Sequence, residues 1–351
     1  MTNPISTKFA VITEKFIAEV HEREIPELKD DQVLVKVNAC NLCTSEYGVW
    51  NGARLGKQPL PMAFGHEYSG VIIDMGSDVK GLEIGDTIGV GYDWCGECEY
   101  CKEGKTSQCP HRGIMNIASD DGYYGNFGCG QYVVKTYRAL CRMNPAIDPS
   151  EAAFVEPAGT VVEGLRKLRV KKGETLVVIG AGTMGILNAL IAREMGCRVI
   201  LTEMMPKKIQ TAKEYGFEVV DVSKEDPVET VKALTDDYGV DAVVVAVGAT
   251  SANNQALEMI KQIDGRILLF AAGYPAPEMN IDSNTIHYRK MELLGTFSAD
   301  IDDFQYAADL ISDKKIDVSK LVEEKFPLED IQAAFEAATV PGAYRVSVVF
   351  E

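Results

Sequence analysis

Hydrophobic and polar positions alternate along the first part of the chain. The alternation is clearest at residues 33–37 and 132–135, with a short apolar run at 70–74 and a further run after a glycine-rich turn at 85–90. A repeat of two with glycine-rich turns between the runs predicts short β-strands joined by tight corners, as in a small barrel-like domain. We therefore expect residues 1 to about 150 to be mostly β, with a loop over residues 120–130.

The pattern changes near residue 151, where apolar positions first predict a helix over residues 151–170. Short apolar runs then alternate with amphipathic segments. The runs predict strands at 175–179, 198–203, 218–221, 242–247, 266–270 and 292–295, and the segments predict helices at 184–195, 206–215, 228–235 and 253–261. Such an alternation is typical of a parallel sheet covered by helices on both faces.

After Gly295 the sequence predicts two helices, 302–311 and 328–337, and a final alternating strand, 344–350. A strand of that kind fits the first domain better than the second. We therefore predict an α/β protein whose first domain is discontinuous, with residues 1–151 and 298–351 enclosing a second domain of residues 152–297.

Composition narrows the class of protein. A chain of 351 residues is longer than one hydrophobic core usually supports, which agrees with two domains. The formal net charge of −17 argues against nucleic-acid or anionic-membrane partners. The opening Met-Thr-Asn-Pro has no apolar signal segment, and the apolar run 176–192 is interrupted by glycines. We expect a cytoplasmic protein with reduced thiols.

Four of the nine cysteines lie close together in one segment: Cys95, Cys98, Cys101 and Cys109. Short loops between thiolates return each sulfur toward one centre, which is typical of a tetrahedral zinc site. Four sulfurs leave no open position for a substrate. This spacing therefore predicts a structural zinc ion.

The segment Gly180-Ala181-Gly182-Thr183-Met184-Gly185 follows a predicted strand and opens a predicted helix. In that context the three glycines indicate a dinucleotide-binding turn, because they allow the tight turn, the approach of a pyrophosphate and the packing of helix on strand. The N–H groups at the helix N-terminus then face the phosphates.

Glu203 closes the next predicted strand, about 20 residues after this turn, where an acidic side chain binds the ribose hydroxyls of NAD. Its charge repels a 2′-phosphate and favours NAD over NADP. Lys208 is a further candidate residue for binding the cofactor. Together with Lys207, it weakens the preference for NAD over NADP.

A second metal site is also indicated by the sequence. Cys43, His66, Glu67 and Glu156 form a mixed ligand set that could bind zinc and leave a position for water or substrate. Each residue also has a purely structural interpretation: a core thiol, a hydrogen-bonded turn histidine or a charge at a helix N-terminus. Spacing alone does not choose between them.

These motifs together resemble those of the zinc-dependent medium-chain dehydrogenases. The matching segments are Cys43-Thr-Ser45-Glu46, Gly65-His66-Glu67, the four-cysteine segment, Glu156-Pro157 and the glycine turn with Glu203. Residues 286–297 and 326–331 resemble the polyol branch of that family, the sorbitol and L-iditol dehydrogenases.

The resemblance implies a GroES-like barrel that carries both zinc sites and a Rossmann domain that binds NAD. It implies that Cys43, His66 and a carboxylate hold catalytic zinc, with Glu67 and Glu156 both candidates. It implies that Ser45 lies beside the substrate oxygen and that the chain forms a homodimer or homotetramer, with residues 280–297 a candidate contact.

The expected reaction is hydride transfer between a secondary alcohol of the polyol or sugar-alcohol type and NAD, giving the ketone. Alternatives are a β-hydroxy amino acid such as threonine, or a cyclitol or sugar derivative. A zinc-containing dinucleotide sensor without catalysis is the non-enzymatic alternative. The chain departs from many relatives at Gly48, where they carry a proton-relay histidine, and at Ser298-Ala299, where some sorbitol enzymes carry an arginine.

Overall fold

The computed structural model describes residues 5–54, 58–111 and 118–351. These residues form two compact units: the barrel unit contains the described residues up to Gly159 together with Ala299–Glu351, and the cofactor unit contains Thr160–Ser298. Residues 1–4, which we expect to carry no export signal, lie outside the described part of the chain. The predicted domain boundaries at 151/152 and 297/298 stay a proposal.

The elements follow one another in an order that places β-structure at both ends. Up to residue 142 they are β1 (Ser6–Glu14), β2 (Ile17–Glu24), β3 (Gln32–Asn41), α1 (Thr44–Trp50), β4 (Met62–Ala63), β5 (Glu67–Met75), β6 (Thr87–Val90), α2 (Glu99–Lys102), β7 (Tyr124–Gly125), β8 (Tyr132–Thr136) and β9 (Leu140–Arg142). From residue 149 to 295 they are α3 (Pro149–Ala152), α4 (Val155–Leu168), β10 (Thr175–Ile179), α5 (Thr183–Glu194), β11 (Arg198–Glu203), α6 (Pro206–Glu214), β12 (Glu218–Asp221), α7 (Pro227–Ala233), β13 (Ala242–Val245), α8 (Thr250–Met259), β14 (Arg266–Leu269), α9 (Ser283–Arg289) and β15 (Glu292–Gly295). The chain then forms α10 (Ile301–Ser312), β16 (Val322–Pro327), α11 (Ile331–Ala338) and β17 (Arg345–Val349).

The barrel unit is built on a seven-stranded sheet in which the strand order is β16-β17-β3-β5-β6-β9, with β8 paired to β3. Its inward-facing residues, such as Val35, Ile72 and Val348, are completely buried. The period-two alternation of the sequence is the cause, since successive side chains of a strand point to opposite faces. As expected, β17 returns from the far end of the chain and pairs antiparallel with β3, Ser347 opposite Asn41.

The cofactor unit is a parallel six-stranded sheet with the order β12-β11-β10-β13-β14-β15. Numbered along the chain, this is the order 3-2-1-4-5-6 of a doubly wound dinucleotide fold. Strand β10 lies at the centre and pairs in parallel with β11 and with β13. Its residues Leu176 to Ile179 are buried on both faces, which explains why they form a continuous apolar run.

One predicted helix is wrong in its extent. Instead of one helix over residues 151–170, the structure has two helices, α3 from Pro149, whose N-cap is Asp148, and α4 from Val155, with a turn at residues 153–154 between them. Pro157 is tolerated in the first turn of α4, where backbone N–H groups have no intrahelical partner. The sequence also gave no sign of α1, a seven-residue helix that contains Gly48. Among the described residues no helix is long and apolar enough to cross a membrane.

Candidate functional site

Helix α1 fixes the first group of candidate residues. Cys43 is its N-cap, and the backbone N–H of Cys43 donates to Oε2 of Glu46 at 3.1 Å, which completes a capping box. The Ser45 hydroxyl donates to the same oxygen at 3.0 Å. A single buried carboxylate therefore holds the backbone of Cys43 and the hydroxyl of Ser45, two residues that the sequence predicts for the active site.

The second group lies where the chain enters β5. Gly65 has φ +107°, and a Cβ there would lie 2.2 Å from the backbone nitrogen of Cys129. Only glycine fits such a position. Glu67 is the first residue of β5 and lies opposite Asn41 of β3. Asn41 is two residues before Cys43 in the chain. The sheet register thus brings His66 and Glu67 beside the start of α1.

The ligand atoms of Cys43, His66 and Glu67 all lie within 4.8 Å of one another. One thiolate, one imidazole and one carboxylate form a donor set that suits zinc and leaves a fourth position open. Ser45 is adjacent, its hydroxyl 3.5 Å from Nε2 of His66. The residues present therefore fit a catalytic zinc ion.

Glu46 also determines which nitrogen of His66 is available. Nδ1 of His66 hydrogen-bonds to Oε1 of Glu46, so the lone pair of Nε2 is left for a metal. Burial by itself lowers the pKa of His66, but Glu46 and Cys43 outweigh it and hold that pKa well above its usual value. Burial raises the pKa of Glu46, yet His66 and Ser45 bring it below its usual value. In the sequence Glu46 stands out only as the last residue of the Cys43-Thr-Ser45-Glu46 motif, and no role could be predicted for it.

Arg345 is a site residue that the sequence analysis missed. Its guanidinium donates to both oxygens of Glu67, at 2.8 and 2.7 Å, and lies 3.5 Å from Sγ of Cys43. Both side chains of the ion pair are buried, 6% and 0% exposed. A buried glutamate at the start of a strand signals that a cation is needed, but nothing local indicates which one.

Glu156 is not one of the three clustered residues, but its charge interacts with those of His66 and Glu67. Its carboxylate is buried and accepts a hydrogen bond from the Tyr92 hydroxyl. Burial raises the pKa of Glu156 to about 7; His66 acts to lower it and Glu67 to raise it further. Burial and the nearby Glu156 raise the pKa of Tyr92 well above its usual value. Tyr92 could not be predicted as a site residue, since a single tyrosine outside any motif does not indicate a function.

The four-cysteine segment forms a compact cluster around α2. The Sγ atoms of Cys98 and Cys101 are 3.4 Å apart, and the Cys95–Cys101 and Cys98–Cys109 pairs are each 3.9 Å apart. Four thiolates about 2.3 Å from a central zinc would stand about 3.8 Å from one another. All nine cysteines are free of disulfides. The cluster fits the predicted structural zinc.

The glycine turn has the form that a dinucleotide requires. Gly180 has φ +96°, and a Cβ at Gly185 would lie 1.8 Å from the Gly180 carbonyl oxygen. At Gly182, the N-cap of α5, the nearest atom to an added Cβ is Nζ of Lys208 at 3.6 Å. Thr183 and Met184 form the first turn of α5. The backbone around Gly182 is therefore open to a phosphate, and Lys208 stands beside it.

Glu203 lies at the end of β11, next to this turn. Its Oε2 accepts from the N–H of Ala181 at 2.8 Å, and its Oε1 accepts from Met204 and Met205 at 2.7 and 2.9 Å. These three hydrogen bonds hold a negative charge beside the glycine loop. The structure thus brings the two predicted parts of the cofactor site together.

Fold and site together define a zinc-binding dehydrogenase, and comparisons with known proteins agree. Residues 29–145 match the alcohol dehydrogenase GroES-like domain, and residues 180–313 match the zinc-binding dehydrogenase domain.

Among its relatives is D-arabitol-phosphate dehydrogenase of Enterococcus avium, 32% identical over 89% of this chain and 88% of the relative. Sorbitol dehydrogenase of Halalkalibacterium halodurans is 29% identical over 93% and 94%. A zinc-binding dehydrogenase of Sinorhizobium meliloti, solved with NADP, superposes with a TM-score of 0.86 at 25% identity, covering 99% of this chain and 100% of that one.

The chain belongs to the zinc-dependent medium-chain dehydrogenases, in the polyol branch of that family. It is a zinc-dependent oxidoreductase of secondary alcohols. The predictions of a GroES-like barrel, a Rossmann sheet and a dehydrogenase that uses zinc are confirmed.

Proposed function

We propose that this enzyme oxidises a secondary alcohol of the polyol or sugar-alcohol type to the ketone, with NAD as hydride acceptor. The cluster of Cys43, His66 and Glu67 beside the Ser45 hydroxyl is the observation that carries the proposal. Relatives whose names specify D-arabitol phosphate and sorbitol support the substrate class.

Zinc held by Cys43, His66 and a carboxylate would supply a Lewis acid that lowers the pKa of the alcohol. The chain itself prepares the proton transfer. Glu46 keeps Nε2 of His66 directed to the cluster and accepts the hydrogen bond of Ser45, so the hydroxyl oxygen keeps its lone pairs for a substrate proton. Gly48 has no side chain to continue a relay, and Ser45 would accept the substrate proton as its own proton turns from Glu46 to water or a cofactor hydroxyl.

The preference for NAD is proposed from Glu203, whose charge beside the glycine loop disfavours a 2′-phosphate. Lys208 acts in the opposite direction, because its ammonium lies close to Gly182. The carboxylate is anchored by three N–H groups and the lysine is a flexible side chain. We therefore give Glu203 the larger effect.

The test is a substrate panel with metal analysis. Purified zinc-loaded enzyme is assayed for NADH with polyols, polyol phosphates, threonine and simple alcohols, and zinc is counted per chain. We expect two zinc ions and activity on at least one polyol. Cys43→Ala should lose one zinc and the activity with the fold retained, whereas Cys95→Ala should lose the other zinc and part of the stability.

NADH formation from threonine alone would move the proposal to the amino-acid alternative. No activity on the whole panel, with two zinc ions bound, would contradict the enzymatic assignment of this site and favour the sensor.

For partners, we propose a cytoplasmic homodimer or homotetramer that binds neither nucleic acid nor membranes. Strand β15 is an edge of the six-stranded sheet, and near it Tyr288 and Phe297 are 75% and 86% exposed. Large exposed aromatics beside an open strand edge are typical of an association surface. A monomer mass in light scattering would contradict this.

A further inference from the structure

Two buried carboxylates lie near Cys43 and His66, and their partners differ: Glu67 is clustered with these two residues, and the charge of Glu156 interacts with that of His66. Glu67 offers both oxygens to Arg345 in a bidentate ion pair, so its charge is compensated. Glu156 accepts a hydrogen bond from the neutral Tyr92 hydroxyl at one oxygen. A neutral phenol does not compensate the charge of a buried carboxylate. Of the two groups, Glu156 therefore gains more from a bound cation.

Tyr92 itself is held firmly. Its ring contacts Phe304 of α10 edge to face, with centroids 5.5 Å apart and an angle of 80°. The Phe304 ring in turn lies against two glycines: an added Cβ would stand 2.8 Å from it at Gly91 and 2.2 Å from it at Gly159. Gly91 precedes Tyr92, and Gly159 is one turn after Glu156 in α4.

This packing ties the two partners of the hydrogen bond to one aromatic ring. Because neither glycine can gain a methyl group without displacing Phe304, the backbone on both sides approaches the ring as closely as it can. The hydroxyl of Tyr92 and the carboxylate of Glu156 are consequently presented to each other by rigid elements, and the bond is not a chance contact of mobile side chains.

We propose that Tyr92 is a positioning residue that orients Glu156 as the carboxylate ligand of the catalytic zinc, while Glu67 stays paired with Arg345. Ligating carboxylates are commonly fixed by an outer hydrogen bond, and loss of such a partner typically weakens metal binding about 10- to 100-fold. The inference rests on the proposed function only in assuming a zinc ion at Cys43 and His66.

The test uses Tyr92→Phe in the full-length chain, with Tyr238→Phe as the matched control because that ring is 80% exposed. Zinc affinity is measured by competition with a chelator. The catalytic site is also loaded with Co²⁺, and its visible absorption is recorded after subtraction of the spectrum of Cys43→Ala, which retains the four-cysteine site. We expect Tyr92→Phe to bind catalytic metal about 10- to 100-fold more weakly, with an altered Co²⁺ spectrum, and Tyr238→Phe to match the wild type.

A double variant separates positioning from general damage. In a Glu156→Gln background, Tyr92→Phe should cause little further loss of metal affinity, because the two residues act through one bond. An equal loss in both backgrounds, or an unchanged affinity and Co²⁺ spectrum in Tyr92→Phe, would overturn the proposal. These readouts do not need a substrate. If the metal effects are found as predicted but the enzyme oxidises no alcohol, the proposed function is contradicted and the role of Tyr92 is not.

Discussion

Replacing Arg345 by methionine removes the guanidinium that contacts both oxygens of Glu67 and leaves a carboxylate inside the barrel unit without that partner. The two side chains are 6% and 0% exposed, so water cannot replace the lost cation. Breaking one side of such a pair costs about 3–5 kcal/mol of the free energy of unfolding. Methionine roughly keeps the length of the arginine stem, and the change therefore tests charge more than volume.

The measurement is urea unfolding in a Cys43→Ala background, where binding of catalytic zinc does not contribute to stability. The chain has two tryptophans, Trp50 and Trp94, and both belong to the barrel unit. Tryptophan fluorescence therefore follows the unit that contains the mutation.

Lys325→Met is the matched control, on the strand paired with β17. Lys325 bonds Asp148 at 2.8 Å, but these side chains are 42% and 38% exposed, and loss of this ion pair should cost less than about 1 kcal/mol. Removing both charges with Arg345→Met and Glu67→Met should restore most of the loss. Equal effects of Arg345→Met and Lys325→Met, or no recovery in the double variant, would refute the reasoning.

Two further predictions concern the cofactor unit. Gly182→Ala should fold normally but bind NAD at least about tenfold more weakly, since the added methyl group occupies the approach of the pyrophosphate. Gly185→Ala should also lower the melting temperature, because its Cβ would lie 1.8 Å from a backbone carbonyl oxygen. Calorimetry and titration of NADH fluorescence distinguish the two variants, and equal behaviour would contradict the roles assigned to the two glycines. Glu203→Ala should shift the ratio of kcat/KM for NADP over NAD upward by about tenfold or more, as expected for loss of one repulsive charge; an unchanged ratio would show that Glu203 does not select the cofactor.

The sequence predicts much of the cofactor unit because its determinants are local. Strands at 175–179, 198–203, 218–221 and 292–295 have the predicted bounds, since buried parallel strands read as short apolar runs between turns. The glycine turn is similarly local: its conformation depends on residues that are neighbours in the chain.

The barrel site is harder to predict because its contacts are not local. Arg345 is 278 positions from Glu67, and the chain has 35 lysines and arginines from which to choose a partner. Tyr92 meets Glu156 only through the packing of Phe304 against two glycine backbones. The motifs predicted which residues could form a metal site, but not the outer residues that hold them, and the ligand roles of Cys43, His66, Glu67 and Glu156 stay predictions.

The position of β17 in the chain also sets the order in which the metal site can mature during synthesis. Arg345 is added after all of residues 160–298, so a growing chain has Cys43, His66 and Glu67 long before it has their guanidinium. Until then β3 lacks its neighbour β17, and Glu67 has no cation from that strand. The ribosome must therefore complete the entire cofactor unit before the barrel can close over a charge-balanced site.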